Sequence, residues 1–281
     1  MIPQASIIGW SRQAPWPTGK QIEQDLILSR LIVEIANHPL LGSELAMRGG
    51  TCLHKLHLPV ALRYSEDLDY VRRSDGPIGP SMDAIREVAV STGLTERGRN
   101  QNWQMMNMVF SADSTSGEGP IRIKVEVNTR EIRNCEGRVT MSLAVDSAWW
   151  TGGGDVPTFS IEELMGTKLR ALYERRKGRD LFDLWLALAA RGADPERILS
   201  CFKFYMGDLA FGFHDLGGNL RNKLSNREFR EDLDQLVAEP PHAYNIDAAA
   251  DLIMTDLGSR LEGAPALERI QQGRWRDGER R

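Results

Sequence analysis

Cysteine is scarce in this 281-residue chain: Cys52, Cys135 and Cys201 are its only three. An odd number at such wide spacing supports neither a disulfide framework nor a CxxC metal site, and it fits a reducing compartment. Long apolar runs are absent too. No stretch approaches the roughly 20 residues of a membrane span, and the first seventeen residues lack a basic region followed by an apolar core. A cytoplasmic protein with no membrane partner is therefore expected. Positive charge is not in excess either, since 35 Lys and Arg face 39 Asp and Glu for a net charge of −4. That balance excludes a uniformly basic surface for coating nucleic acid, yet leaves room for a local basic cleft. Internal repeats and low-complexity tracts are missing as well. What is present, 41% apolar and 26% charged residues, is the composition of an ordinary globular protein of one large or two small domains.

The chemistry concentrates in Met47 to Val71, MRGGTCLHKLHLPVALRYSEDLDYV. If Glu66 to Val71 is extended, a period of two puts Asp67 and Asp69 on one face and Leu68 and Tyr70 on the other. Two convergent carboxylates are what a pair of Mg2+ or Mn2+ ions needs, because hard cations take oxygen ligands. The Gly49-Gly50-Thr51 corner complements them. Glycine lets the backbone come close to a phosphate, and a following helix start offers free N–H groups with a Thr51 hydroxyl beside them. A GG[ST] turn alone, or a DxD alone, would be weak; the two in this order and at this separation are specific.

This stretch resembles the nucleotidyltransferase superfamily of the DNA polymerase β type, and in particular the AbiEii-like toxins of type IV toxin–antitoxin systems. Their pattern joins a GG[ST] corner to an R-x-S-x-D-L-D strand, matched here by Gly49-Gly50-Thr51 and Arg63-Tyr64-Ser65-Glu66-Asp67-Leu68-Asp69. Cys52 stands where such proteins carry a small residue. The resemblance implies that Gly49, Gly50, Thr51 and Ser65 bind the nucleotide and that Asp67 and Asp69 hold metal.

Along the chain, residues 1–17, with Pro3, Pro15, Pro17, Trp10 and Trp16, read as an irregular arm packed over the first helix. The apolar spacing of Ile22, Leu26, Ile27, Leu31, Ile32 and Ile35 predicts a helix from about Thr18 to Asn37. Leu45 to Arg48 reads as a strand, Cys52 to Leu58 as one or two helical turns, and Pro80 to Thr92 as a helix. His54 and His57, three apart, are read as packing residues rather than zinc ligands. Trp103 to Phe110, Ile121 to Asn128 and Val139 to Val145 are β-prone. In the second of these, Arg122, Lys124, Glu126 and Asn128 share the face opposite Ile121, Ile123, Val125 and Val127. By the resemblance Glu126 is the third acid, a metal ligand that also helps to deprotonate the acceptor. The bland alternative is a strand with a polar outer face. Trp149 to Pro157, WWTGGGDVP, reads as a linker.

Ser160-Ile161-Glu162-Glu163 forms a capping box for a helix running to about Arg175. Lys168 falls on that helix's apolar stripe, so it either snorkels or points into a polar site. The resemblance adds a lysine on the first helix after the sheet, a basic cluster and an R-D-[LIV]-[YF]-D-[LIV] segment, here Lys168, then Arg175-Arg176-Lys177-Gly178-Arg179-Asp180-Leu181-Phe182-Asp183-Leu184. It thus spans roughly residues 20–190. Lys168, Arg176 and Arg179 would meet the nucleotide, with Asp180 orienting a basic residue. The plainer pattern pairs Arg176 with Asp180 and Arg179 with Asp183 at i, i+4. Further helices are expected at about 195–207, 225–238 and 246–262, separated by breaks at Gly217-Gly218 and Pro240-Pro241.

The expected fold is α/β (α+β in strict layering): a nucleotidyltransferase-like mixed sheet with flanking helices over 1–150, a helical domain closing the cleft over 158–265, and a flexible tail at 266–281. The expected function is metal-dependent transfer of a nucleotide from an NTP, with Lys168 among the catalytic residues. The resemblance implies a toxin acting on an RNA acceptor, the tRNA 3′ end foremost, and restrained by a cognate antitoxin. An AMPylator-like enzyme modifying a protein hydroxyl and a non-catalytic nucleotide-binding module are the two other readings.

Overall fold

A computed structural model of the chain describes residues 2–102, 104–237 and 244–276. By packing, the chain divides into one unit of Met1–Ser160 with Leu236–Ala238 and another of Ile161–Gln235 with Glu239–Arg281.

The first unit opens with α1 (Gln4–Trp10) and α2 (Gly19–Asn37), continues through α3 (Pro39–Glu44), β1 (Leu45–Arg48) and α4 (Gly49–Cys52), and then makes a π turn over Leu53–His57. There follow β2 (Asp67–Arg72), α5 (Gly79–Ser91), β3 (Thr95–Gln101), β4 (Met105–Ala112), β5 (Ile121–Asn128), β6 (Arg138–Asp146) and β7 (Thr151–Phe159). Five strands form a mixed sheet in the order β1-β2-β5-β4-β3, and β6 pairs with β7 in a separate ribbon. Only β2 and β5 run parallel in the sheet.

Helix α2 begins where the sequence predicts, because Thr18 and Gln21 close a reciprocal capping box. Its buried stripe carries Leu26, Leu28, Leu31, Ile32, Val33 and Ile35 into the core, beside Met106, Met108, Phe110, Ile121, Ile123, Val125 and Val127 of β4 and β5. The N-terminal arm is partly helical rather than irregular. It is fastened to α2 through Asp25, a buried carboxylate that accepts the indole N–H of Trp10 at 2.7 Å and of Trp16 at 2.9 Å, with Lys55 Nζ at 2.5 Å.

One other expectation is corrected in this unit. The WWTGGGDVP stretch is not a linker; Thr151 onward is β7, paired with β6 from Asp146↔Thr151 to Arg138↔Phe159. Its glycines are there for close approach. A Cβ on Gly152 would run into the Trp150 ring, and one on Gly154 would lie 3.1 Å from Asn37 Cγ, whose amide donates to Gly153 O at 3.0 Å. The tryptophans are also engaged, with the Arg30 guanidinium 4.9 Å from the Trp149 ring centre and 5.4 Å from that of Trp150. The expected strand from Trp103 is β4, and Trp103 itself lies outside the described residues.

The second unit is helical: α6 (Ile161–Glu174), α7 (Gly178–Arg191), α8 (Pro195–Met206), α9 (Phe213–Leu224), α10 (Arg227–Glu231), α11 (Ile246–Asp256) and α12 (Leu267–Gln271). Helix α9 runs through Gly217 and Gly218, which the sequence suggests as a break. Residue 238, in the expected helix 225–238, lies outside the described residues. The expected tail is structured as far as Arg276: Trp275 is buried and donates to Asp251 Oδ1 at 2.8 Å, while Arg276 pairs with Asp251 at 2.6 Å. One tryptophan anchors a segment too short to show apolar periodicity. Residues 277–281 lie outside the described residues.

Candidate active site

Strand β2 alternates as expected, with Leu68 and Tyr70 buried and Asp67 and Asp69 half-buried on the other face. The parallel register sets Asp67 opposite Lys124 and Asp69 opposite Glu126, while β1 brings Arg48 opposite Asp69. Residues paired across a ladder project to the same side. Asp67, Asp69 and Glu126 therefore share one sheet face, on neighbouring strands.

The glycine corner explains its own composition. Gly49 has φ +82°, a region costly for any side chain, and a Cβ there would drive into the Asp69 carboxylate, reaching 2.9 Å from its Cγ. A Cβ on Gly50 would lie 3.1 Å from Ser65 Oγ and 3.3 Å from Arg63 Cζ. Arg63 is only 2% exposed and donates from Nη1 to Tyr64 O at 3.0 Å. Its place in the motif is thus structural: a buried guanidinium lies under the glycine pair. Thr51 is buried, donates to Asp67 O at 2.6 Å and lies 2.9 Å from Ser65 Oγ. The hydroxyl that the sequence directs at a phosphate here ties the helix start to the acidic strand.

Positive charge surrounds the acids. Lys124 Nζ lies 3.5 Å from Asp67 Oδ2 and 3.1 Å from Glu126 Oε2. Partial burial works to lower its pKa, but Asp67 and Glu126 outweigh that and hold it above the ordinary lysine value. Arg48 Nη1 reaches Glu131 Oε2 at 3.3 Å, and Asn128 Nδ2 donates to the same oxygen at 3.1 Å. Cys52 is buried beside Thr158 Oγ1, 2.9 Å away, and burial pushes its thiol up to about 12, so it packs as a small neutral residue. His54 and His57 are buried in the π turn, where His54 Nδ1 accepts from Leu62 N at 3.3 Å.

The donor chemistry of Asp67, Asp69 and Glu126 suits a hard divalent cation. As the side chains stand, no group of three or more His, Cys, Asp or Glu among the described residues is drawn together to hold a metal.

The other predicted residues belong to the helical unit. Lys168 is 7% exposed and does not snorkel: its Nζ lies 3.0 Å from Asp180 Oδ1 and 2.9 Å from Asp183 Oδ2. Arg175 makes a two-pronged contact with Asp180 at 2.7 and 2.8 Å. Burial would raise the Asp180 pKa, but Lys168 and Arg175 outweigh it and the carboxyl is held below its ordinary value. The i, i+4 pattern is corrected accordingly. Asp180 and Asp183 face inward and take their cations from Lys168 and Arg175, whereas Arg179 and Lys177 meet Asp232 at 3.3 and 3.6 Å. Arg176 is exposed. Sequence reasoning overlooked Lys124 and Arg63 as members of the site. The signal for Lys124 was its position two residues from Glu126 on the same strand face.

A glycine corner folded against a two-aspartate strand, with a third acid in register on a mixed sheet, is the framework of a nucleotidyltransferase. The chain matches the model of the nucleotidyl transferase AbiEii toxin family, type IV toxin–antitoxin system, over residues 30–252, and it belongs to that family. Membership implies a nucleotide substrate and an antitoxin partner. The fold is similar to that of MenT4, a nucleotidyltransferase toxin from Mycobacterium tuberculosis H37Rv, at 15% identity and TM-score 0.57, covering 96% of this chain and 94% of that one. JHP933 from Helicobacter pylori aligns at 16% identity and TM-score 0.48, covering 91% of this chain and 94% of that one. No curated protein matches the sequence. No helix among the described residues is long and apolar enough to cross a membrane.

Proposed function

We propose that the chain transfers a nucleotide from an NTP to an RNA acceptor, the tRNA 3′ end foremost, at the face carrying Asp67, Asp69 and Glu126. The observation that carries this reading is the register Asp69↔Glu126 with Gly49 pressed against Asp69. In the reaction an acceptor hydroxyl oxygen bonds to the α-phosphorus, the bond to the β-phosphate oxygen breaks, and pyrophosphate leaves. Glu126 takes the hydroxyl proton. Asp67 and Asp69, with Glu126, would hold Mg2+ or Mn2+, whose chemistry is to stabilise charge on the attacking and leaving oxygens. Gly49 and Gly50 let the chain turn tightly against Asp69 and Ser65, whose hydroxyl is offered to the triphosphate. Lys168, paired with two buried carboxylates, contributes positive charge to the nucleotide, with Arg176 and Arg179 following it in sequence and Asp180 as its orienting partner.

The exposed Arg176, with Arg175, Lys177 and Arg179, offers phosphate contacts for a polynucleotide. The protein incubated with each α-labelled NTP in turn, Mg2+ and a cell extract is expected to label a discrete small-RNA band from one preferred nucleotide. Labelling should fall steeply with salt. Label that survives RNase and is lost to protease would overturn the RNA acceptor and point to a protein hydroxyl.

A further inference from the structure

Lys124 touches two acids at once. Its ammonium lies 3.5 Å from Asp67 on β2 and 3.1 Å from Glu126 on β5, so one side chain bridges carboxylates of neighbouring strands. The ordinary reading is a half-exposed surface ion pair of little weight. Its place speaks against that. Asp67, Asp69 and Glu126 crowd one sheet face, where like charges raise one another's free energy unless a cation stands among them. The oxygens that Lys124 contacts are also the donors that a divalent cation would take. An ammonium and a divalent ion cannot both hold those oxygens at contact distance, so the two compete. Lysine suits the role of the loser, since its compact charge rides on a flexible four-carbon stem and its side chain is 38% exposed.

We propose that Lys124 is a displaceable counter-ion for the acidic face: it neutralises Asp67 and Glu126 until a divalent cation takes those oxygens, and is thereby released to an anionic phosphate of the nucleotide. The proposal rests on the nucleotidyl-transfer reading of this face and goes beyond it. Metal alone must evict a bonded lysine, whereas metal arriving with a triphosphate brings the displaced ammonium a new partner. Lys124 thus couples metal loading to nucleotide loading, as a positioning residue that acts through Asp67 and Glu126.

The test is a Mn2+ titration without nucleotide, followed by electron paramagnetic resonance, on the wild type, Lys124→Met, Lys124→Arg and Asp69→Asn. Removing the competing charge should tighten Mn2+ binding by about tenfold or more in Lys124→Met. Lys124→Arg keeps the charge and should stay near the wild type, while Asp69→Asn should lose the site. Lys124→Gln gives the same comparison if the methionine variant does not fold. In chelator, Lys124→Met should melt below the wild type and recover as Mn2+ is added, since it removes the ammonium that Asp67 and Glu126 share. Equal or weaker Mn2+ binding by Lys124→Met, with Asp69→Asn still losing the site, would overturn the role of Lys124 and leave the metal site standing. Identical binding by all four proteins would overturn the metal reading and this proposal together.

Discussion

Gly49 and Asp69 are packed so closely that residue 49 has no room for a side chain: a Cβ there would meet the carboxylate itself, with Asp69 Cγ at 2.9 Å and its Cβ at 3.0 Å. The φ of +82° at Gly49 compounds the restriction. The first glycine of the motif and the second aspartate are therefore one structural unit, which is why either half alone says so little.

Gly49→Ala should abolish nucleotide transfer and cost about 2 kcal/mol or more of stability, from positive φ and steric clash together. Asp69→Ala should be well tolerated as a fold, because it relieves crowding among like charges. In the double variant the clash with the carboxylate is gone, leaving the backbone strain and the 3.0 Å approach of the retained Cβ at position 69, so the two changes should be non-additive. A thermal-melt cycle over the four proteins measures this, and strict additivity would remove the claimed contact.

The ion cluster of the helical unit makes a different forecast. Asp180 is fully buried and holds both Lys168 and Arg175. Deleting Asp180 takes from the buried Lys168 one of its two carboxylates and from Arg175 its two-pronged partner, so Asp180→Ala should cost about 3 kcal/mol in urea unfolding. Lys168→Ala should likewise lower stability, since it removes the ammonium that Asp180 and Asp183 share, and it cannot be read as a clean test of nucleotide binding. Pairing Lys168→Met with Asp183→Asn should recover part of the stability while nucleotide transfer stays lost. Full stability in Asp180→Ala would contradict the cluster.

Lys223 gives a pH signature. It is buried and donates to Leu172 O and, at 3.0 Å, to Tyr173 O near the end of α6. Burial, chiefly, brings its pKa down to about 8, with Asp180 opposing and Arg176 assisting. Between about 8 and the ordinary lysine value of 10.5 the unfolded chain binds a proton that the folded chain has released. Stability should therefore rise with pH through that window. Lys223→Met lacks the group, so the stability difference between wild type and Lys223→Met should shift in favour of the wild type from pH 7.5 to pH 10. A difference independent of pH would contradict the assignment.

Part of the sheet was legible because residues 67–70 of β2 and 121–128 of β5 alternate apolar and polar residues, so a period of two put Asp67 and Asp69 on one face and Glu126 on the polar face of its own strand, while only the resemblance joined the two. Helix α2 was legible from its apolar stripe. What escaped had no such signal. Strand β3, TERGRNQ, is an almost wholly exposed edge with no apolar face, and β7 hides its strand character behind three glycines that make room for Trp150 and Asn37. Helix α9 continues through two glycines that read as a stop. Lys168 was found as an anomaly on an apolar stripe, but its partners could not be. Asp180 and Asp183 look outward to a reader counting i, i+4 charges, and only packing against α6 turns them inward.

In the proposed reaction, nucleotidyl transfer takes place at the Asp67/Asp69 face. Its most direct test is pyrophosphate release from each NTP in the presence of Mg2+ and total RNA, compared among the wild type, Asp67→Ala and Asp69→Ala at matched folding. The wild type should release pyrophosphate with one preferred NTP, stop when the metal is chelated, and both variants should fall to background while melting at or above the wild-type temperature. Turnover at the wild-type rate in both variants would contradict it.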